Sequence, residues 1–273
     1  MQVIKYKLLI LILLIGTNAI AQKAKRIVSL APSITKNIYY LDAQSELVGC
    51  TNYCIEAVND NIEIVATAIQ VNIEKVITLK PDLVLVTTIS SPETIDMLKK
   101  FNIKVEVFDT PDSFNAICEQ FIRMGNLVGK SETALEITAQ SKKRVEQLST
   151  IHPINNNRNI FFQIGAKPLF TVLPNTFMND YITFCGARNI AEEMKIGSIT
   201  RESVITKNPD VILVVTMGIT GEEEKKMWES YKGMSAADRK KIFIIDAEKA
   251  CSPTPVTFVE TLETIVNLLN QNP

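Results

Sequence analysis

The chain has 273 residues, of which 46% are hydrophobic and 22% charged, with 29 basic against 30 acidic side chains. This length is sufficient for two domains of ordinary size, and the high apolar content with a net charge near zero excludes a disordered chain. Nucleic-acid binding is also excluded, because there is no basic tail and no run of Lys and Arg exceeds three residues.

The first 21 residues have the pattern of a secretory signal peptide. Lys5 and Lys7 form a short basic segment, residues 8–15 are an apolar run, and residues 19–21 have the small-x-small pattern of a cleavage site. The apolar run is far shorter than the ~20 residues that span a bilayer, which disfavours a membrane anchor. No cysteine precedes Cys50, so a lipoprotein signal is excluded. We therefore predict an exported protein.

The remaining chain alternates short β-branched segments with amphipathic stretches, a pattern typical of an α/β protein with parallel sheets. We predict strands at residues 26–30, 83–87, 104–108, 159–164, 211–215 and 241–246. Helices are predicted at 92–101, with a proline in the first turn, and at 222–231, with three glutamates at its start. The last predicted helix runs from 255 to about 270, with Thr254 as its N-cap.

An internal repeat indicates two related lobes. Residues 74–88 and 202–216 align at a constant offset of 128, and nine of the fifteen positions are identical. Each copy reads as a short helix, a Pro-Asp turn and a fully buried strand. A chance likeness between two helix-turn-strand segments is the alternative. The single offset favours related lobes, which we place at residues 22–125 and 152–273.

One long helix, assigned to residues 126–151, is predicted to connect the lobes. The stretch 132–151 contains no Gly or Pro, and Ser131 is expected to cap its N-terminus. A face predicted to pack on both lobes consists of Ala134, Ile137, Ser141, Val145 and Leu148. About twenty helical residues make a rod of ~30 Å. Such a stiff connection predicts a cleft between the lobes that opens little.

No catalytic signature is present, so we predict that the protein is not an enzyme. The sequence contains no nucleophile elbow, zinc-protease motif, P-loop or dinucleotide fingerprint. A Ser/His/Asp triad would need the single histidine, His152, which we expect at the surface. Cys50 and Cys54 form a lone C-x3-C pair, which is poor support for a metal site; buried thiols or a disulfide are the alternatives. Because five cysteines are an odd number, at least one thiol stays free.

A binding cleft is better supported, because open α/β sheets bind ligands beyond the carboxyl ends of their strands. The loop after the first predicted strand contains Ser33, which either caps the next helix or turns its hydroxyl toward a ligand. Tyr53 and Phe170 lie in further loops of this kind. Each of these two rings either presents a flat face to a large ligand or packs in the core.

Five segments of the chain carry a family resemblance. They are residues 26–33 (RIVSLAPS), 47–53 (LVGCTNY), 72–84 (NIEKVITLKPDLV), 162–171 (FQIGAKPLFT) and 179–189 (NDYITFCGARN). In these segments the chain resembles class III periplasmic substrate-binding proteins of ABC importers, the receptors for cobalamin, haem and ferric siderophores. The resemblance spans nearly the whole chain after the leader, and it is greatest to the cobalamin receptors.

This resemblance implies a fold and a function. The fold would be two Rossmann-like lobes with mainly parallel sheets, joined by one long helix. The protein would be a periplasmic monomer without a cofactor or resident metal. It would capture a bulky metal-containing ligand, a corrinoid being favoured, and would deliver it to the membrane permease of an ABC importer.

The resemblance also implies roles for single residues. In this family one glutamate on the rim of each lobe pairs with arginines of the permease, and Glu74 and Glu202 occupy those positions. The alternative for both is an ordinary glutamate stabilised at a helix N-terminus. Tyr53 and Phe170 occupy positions that line the ligand cleft in the cobalamin receptors.

Departures from the family pattern leave the ligand open. Cobalamin receptors often carry tryptophans at the positions held here by Ala68 and Ile196. Tyr53 is the one cleft candidate for an axial haem ligand, and Arg188 and Arg201 are the arginines expected near the rim for a ferric siderophore. Haem or siderophore receptors are therefore alternatives. From a different class, the alternative is an exported sensory or corrinoid-processing protein on the same scaffold.

Overall fold

The computed structural model describes residues 23–67, 70–151, 158–215 and 221–270. The predicted leader, Ala68 and His152 lie outside these ranges. No helix within them is both long enough and apolar enough to cross a membrane.

The first half of the described chain forms a parallel sheet. Its strands are β1 (Ile27–Ser29), β2 (Leu47–Thr51), β3 (Ile64–Ala66), β4 (Leu83–Thr87) and β5 (Val105–Phe108), in the order β3-β2-β1-β4-β5. Successive strands are connected through the helices Pro32–Tyr40, Ile55–Asn59, Ile73–Thr78 and Pro92–Lys100. All neighbouring strands pair in parallel. Their carboxyl ends therefore meet along one edge, where the connecting loops leave the sheet.

The second half forms a mixed sheet. Its strands are β6 (Asn159–Ala166), β7 (Leu169–Thr171), β8 (Arg188–Asn189), β9 (Val211–Val214) and β10 (Ile242–Ile244). The order is β10-β9-β6-β7, with β8 pairing in parallel at the amino end of β6 and β7 running antiparallel at its carboxyl end. Its helices are Phe177–Phe184, Arg201–Lys207, Gly221–Glu229, Ser235–Asp238, Ala247–Ala250 and Pro255–Asn270.

This architecture confirms the predicted α/β fold class. Each of the six predicted strands forms within two residues of its predicted bounds, and the predicted helices form at Pro92–Lys100, Gly221–Glu229 and Pro255–Asn270. The predicted cap is also present, since Thr254 Oγ1 accepts a hydrogen bond of 3.0 Å from the backbone N–H of Thr257.

The two copies of the repeat fold alike. Asn72 and Thr200 are N-caps whose side chains accept hydrogen bonds of 2.9 and 3.2 Å from the backbone N–H three residues later. Asp82 and Asp210 each accept a backbone hydrogen bond from the amino end of the neighbouring strand, β1 and β6 respectively. Equivalent residues therefore make equivalent hydrogen bonds in the two lobes, which supports the interpretation that the lobes are related.

The connection between the sheets differs from the single helix predicted at 126–151. Residues 126–128 complete a helix that spans Phe114–Val128, and the next helix spans Ser131–Ser149. Gly129 separates them with a φ of 72°, the left-handed geometry that ends helices. Lys130, not Ser131, occupies the N-cap position and makes no side-chain capping bond. The predicted start at residue 126 is thus corrected to Ser131.

We name Ser131–Ser149 the connecting helix. It packs against the helices Phe114–Val128 and Pro255–Asn270. Its buried residues are Ala134, Thr138, Ser141, Val145 and Leu148, so that Thr138 takes the place predicted for Ile137. The limits of the lobes at residues 125 and 152 stay a prediction.

Candidate functional site

The carboxyl edges of the two sheets come together at a contact between the lobes. The helix Pro32–Tyr40 follows β1, and the helix Ala247–Ala250 follows β10. Lys36 Nζ lies 3.4 Å from the carbonyl oxygen of Glu248 and 3.9 Å from its carboxylate. Beside it, Asn37 Nδ2 lies 3.5 Å from the carbonyl oxygen of Pro253. The space between the two carboxyl edges is called the interlobe cleft below.

On the N-terminal side of this cleft, Tyr53 lies in the loop between β2 and the helix Ile55–Asn59. The loop is fixed by a 3.2 Å hydrogen bond from the backbone N–H of Tyr53 to Thr51 Oγ1. The tyrosine side chain is 56% exposed, so core packing does not describe it. Two further apolar side chains are exposed at this edge: Ile55, and Ile89, which follows β4 and is 87% exposed.

Ser33 lies at the same edge but does not cap its helix. Pro32 is the first residue of the helix, which places Ala31 at the N-cap position. The N-cap alternative for Ser33 is therefore wrong. Its side chain is half-buried in the first turn, and its hydroxyl makes no hydrogen bond to any residue that the structure describes. The ligand-facing alternative stays a prediction.

On the C-terminal side, Phe170 is the central residue of β7 and is 37% exposed. Its strand is held at the carboxyl end of β6 by pairing with Gly165, and Phe170 forms a bridge to Ser198. A Cβ on Gly165 or Gly197 would lie within 3.5 Å of Phe170 atoms, so both glycines leave room for this residue. The neighbouring Ile196 is 73% exposed.

Exposed apolar side chains thus lie at the carboxyl edges of both sheets. We call them the apolar rim, which consists of Tyr53, Ile55, Ile89, Phe170 and Ile196. Sequence reasoning had selected the two aromatic residues, but it missed Ile55 and Ile89 as rim residues. A usable signal was their position, because an apolar residue directly after a strand or a strand-to-helix loop lies at the edge where ligands bind.

A buried polar network supports the Phe170 side of the rim. Gln163, fully buried in β6, accepts a 2.7 Å hydrogen bond from Trp228 Nε1. Its Nε2 donates to the carbonyl oxygen of Gly165 and to Glu224 Oε2, at 3.1 and 2.9 Å. Arg201 donates to both oxygens of Glu224, and its guanidinium stacks 4.7 Å from the Trp228 ring centre. Trp228 and Arg201 therefore support the rim from within the lobe.

Arg188 does not lie where the sequence suggested. It is part of β8, which pairs with the amino end of β6, opposite the carboxyl edge that faces the cleft. Its guanidinium is paired with Glu192, four residues later. The expectation that Arg188 lies near the rim is therefore wrong.

Glu74 and Glu202 are structurally equivalent and exposed. Each is the second residue of its helix, Ile73–Thr78 and Arg201–Lys207 respectively. Neither forms an ion pair with another residue in the described ranges. A hydrogen bond from its own backbone N–H, and then the Thr200 hydroxyl, lower the pKa of Glu202. The two copies of the repeat therefore present, at equivalent positions, a glutamate without an ion pair to any described residue.

Other candidate sites are less suitable. Within the described ranges, no group of three or more His, Cys, Asp or Glu side chains is arranged to hold a metal ion. A cavity of about 670 Å³ lies beside Asp82, Lys104 and Arg123. Asp82 and Lys104 directly precede β4 and β5, so this cavity opens at the amino edge of the first sheet, away from the interlobe cleft.

Comparison with known proteins agrees with this architecture. A family model described as periplasmic binding protein matches residues 27–249. A vitamin B12-binding protein of Yersinia pestis is 28% identical over 198 residues, covering 71% of this chain and 70% of that protein.

Solved structures show the same fold. A possible iron-binding periplasmic protein of Staphylococcus epidermidis superposes with a TM-score of 0.79 at 24% identity, covering 92% of this chain and all of the other. A periplasmic heme-binding protein of Vibrio cholerae superposes with a TM-score of 0.79 at 18% identity, covering 90% of this chain and 99% of the other. Proteins of this fold therefore carry names that specify different metal-containing ligands.

Proposed function

Because this chain belongs to the periplasmic binding protein family, we propose that it captures a bulky metal-containing ligand in the interlobe cleft and delivers it to the permease of an ABC importer. The observation that carries the proposal is the apolar rim, in which exposed rings and aliphatic side chains stand at both carboxyl edges. Such side chains suit a large ligand with apolar faces. In this proposal the protein is a periplasmic monomer, freed of its leader, and catalyses no reaction.

A corrinoid is the ligand that we favour. The relative from Yersinia pestis is named a vitamin B12-binding protein. Arg188 lies at the opposite edge of its sheet, and Arg201 is paired with Glu224 and stacked on Trp228, which disfavours binding of an anionic siderophore through these two arginines. Haem is the second candidate, and the exposed Tyr53 would be its axial ligand.

Calorimetric titration of the chain from residue 22 to 273 tests the ligand. We expect saturable one-to-one binding of cyanocobalamin, with haemin and a ferric siderophore as comparisons. Binding of only haemin or the siderophore would keep the transport role and overturn the corrinoid. Absence of binding to all three would contradict the proposed ligand class.

Removal of the rim rings tests the cleft. Tyr53→Ala and Phe170→Ala should each weaken ligand binding about tenfold or more, because buried aromatic contacts account for much of the energy of an interface. Phe101→Ala is the control, since Phe101 follows the helix Pro92–Lys100 and its ring is about as exposed as that of Tyr53. Equal affinity of all three variants and the wild type would place the ligand elsewhere.

Charge reversal at the two glutamates tests delivery. Glu74→Lys combined with Glu202→Lys should abolish uptake in cells and leave ligand affinity unchanged, because both side chains lie outside the rim. Glu132→Lys is the control, since Glu132 is also an exposed first-turn glutamate but belongs to the connecting helix. Unchanged uptake by the double variant, with ligand still bound, would contradict docking through these glutamates.

A further inference from the structure

A groove outside the interlobe cleft lies beside Glu74. It has a volume of about 520 Å³ and is lined by residues 64–67 and 70–75. These residues comprise β3, which is an outer strand of the first sheet, and the start of the helix Ile73–Thr78. A water molecule occupies about 30 Å³, so the groove is large enough for a bulky side chain. It contains no residue of the apolar rim and is therefore a separate surface.

Three partly exposed apolar side chains line this groove. Ile64 is 40% exposed, and Val71 and Ile73 are half-buried. The backbone N–H of Asn72 donates a 2.8 Å hydrogen bond to the carbonyl oxygen of Val65, which holds this segment against β3. Backbone pairing therefore fixes the apolar surface before a partner binds, and a preformed surface lowers the entropy cost of binding.

The charges at the groove favour a basic partner. Glu74 and Lys75 are its two charged lining residues. Lys75 forms an ion pair with Glu63, and its Nζ donates a 2.8 Å hydrogen bond to the carbonyl oxygen of Ile64. Glu74 has no such ion pair among the residues that the structure describes. Two carboxylates thus stand against one ammonium group, which leaves the carboxylate of Glu74 to attract a cation.

We propose that this groove receives an apolar side chain of the permease, next to the arginine that pairs with Glu74. The inference rests on the proposed function, because it takes Glu74 as a docking residue. The guanidinium would meet the carboxylate, and the adjoining aliphatic or aromatic side chain would cover Ile64, Val71 and Ile73. The charge pair would orient the two proteins, and the buried apolar side chain would supply affinity. The partner segment therefore combines a basic residue with a bulky apolar residue.

Competition for binding to the importer tests the groove, and it needs no ligand. Spheroplasts of the cells in which the protein is native retain the importer and expose its outer face. Radiolabelled wild-type chain, residues 22–273, is bound to them and displaced with unlabelled variants. Ile64→Gln removes apolar surface without a change of charge, so half-displacement should require about tenfold more of this variant than of the wild type.

Leu135→Gln is the matched control for this substitution. Leu135 is also exposed, at 55%, but belongs to the connecting helix. This variant should displace the labelled chain as well as the wild type does. Circular dichroism and urea denaturation confirm that the variants are folded. Ile64→Ala is a milder second variant, which should require several-fold more protein than the wild type, and it keeps the test decisive if Ile64→Gln does not fold.

The glutamate variant distinguishes failure of the groove from failure of docking. Glu74→Lys combined with Glu202→Lys should not displace the labelled chain. If this double variant fails to displace it but Ile64→Gln and Ile64→Ala compete like the wild type, the groove is overturned and docking through the glutamates stands. If all these variants compete like the wild type, or if the labelled chain does not bind saturably, docking through the glutamates and the groove are both overturned.

A second copy of this chain is the other occupant that can be tested. Sedimentation equilibrium measures self-association, and we expect the wild type to be a monomer throughout the concentrations used for displacement. A wild-type dimer that Ile64→Gln dissociates would assign the groove to self-association and overturn the permease as its occupant.

Discussion

At the scale of single residues, Glu224 is the buried charge in the network that supports the Phe170 side of the apolar rim. Its carboxylate accepts hydrogen bonds from Arg201 and Gln163 and is almost completely buried. Glu224→Gln would leave the guanidinium of Arg201 without its counter-charge in a partly buried position. We expect the free energy of unfolding to fall by about 3 kcal/mol, as for other broken buried ion pairs. Urea denaturation followed by circular dichroism measures this loss.

A matched exposed pair provides the control for that experiment. Arg188 and Glu192 form the same kind of ion pair, four residues apart and open to solvent. Glu192→Gln should change the midpoint of unfolding little, because exposed ion pairs contribute little to stability. If the two substitutions lower the free energy of unfolding by the same amount, the network around Trp228 stabilises the protein no more than a surface ion pair does.

At the scale of helices, the crossing between Phe114–Val128 and the connecting helix depends on a glycine. A Cβ at Gly125 would lie 2.4 Å from the Cβ of Ala134 and 3.0 Å from the carbonyl oxygen of Lys130. Gly125→Ala should therefore force the helices apart and destabilise the protein by about 1–3 kcal/mol, the usual effect of overpacking. Thermal unfolding of the variant measures the loss.

A second substitution distinguishes the crossing from a general effect of the alanine. Ala134→Gly removes the opposing methyl group, so the double variant should recover part of the stability lost in Gly125→Ala. The recovery is expected to be partial, because the Lys130 carbonyl remains close and glycine is unfavourable within a helix. A double variant less stable than Gly125→Ala alone would show that the contact with Ala134 does not limit the size of the side chain at residue 125.

These elements also show what the sequence could predict. The repeat predicted the paired helix-turn-strand units because identical side chains make the same local bonds, as at Asn72 and Thr200. The bound at residue 126 was wrong because the apolar pattern continues through the break at Gly129, whereas the expected cap at Ser131 lay within one residue of the observed N-cap, Lys130. The N-cap assignment of Ser33 could have been corrected from the sequence alone, since Pro32 at the first helical position places the N-cap at Ala31.

The rim residues show what the sequence could not predict. Ile55 and Ile89 have the composition of core residues, and their exposure follows from where the strands end in three dimensions. Tyr53 and Phe170 were found because aromatic side chains shortly after predicted strands are conspicuous, although Phe170 lies in β7 and not in the loop expected from the sequence. The pairing of Arg201 with Glu224 could not be predicted, because 23 residues separate them and the stack on Trp228 depends on the packing of two helices.

At the scale of the whole molecule, the helix Phe114–Val128 joins the two cores. Phe114 and Cys118 pack in the core of the second sheet, whereas Phe121 and Val128 pack in the core of the first. A helix that is buried at one end in each core cannot tilt without disturbing both. The connection is therefore stiffer than the connecting helix alone would make it, which supports the expectation of a cleft that opens little.

Phe114 is the residue at which this stiffness can be tested. Its ring stacks on Phe258 with centroids 4.5 Å apart, and its backbone N–H donates a 2.7 Å hydrogen bond to Asp180. Phe114→Ala should cost about 3–5 kcal/mol of stability and loosen the lobes, so that small-angle X-ray scattering gives a larger radius of gyration. The wild type should keep the same radius with and without saturating ligand, and Phe101→Ala, which removes an exposed ring, should match it. Two results would contradict this argument: a wild-type protein that contracts on ligand binding, or a Phe114→Ala variant that is less stable but has the same radius of gyration. Either result would mean that the helix Phe114–Val128 does not limit the opening of the cleft.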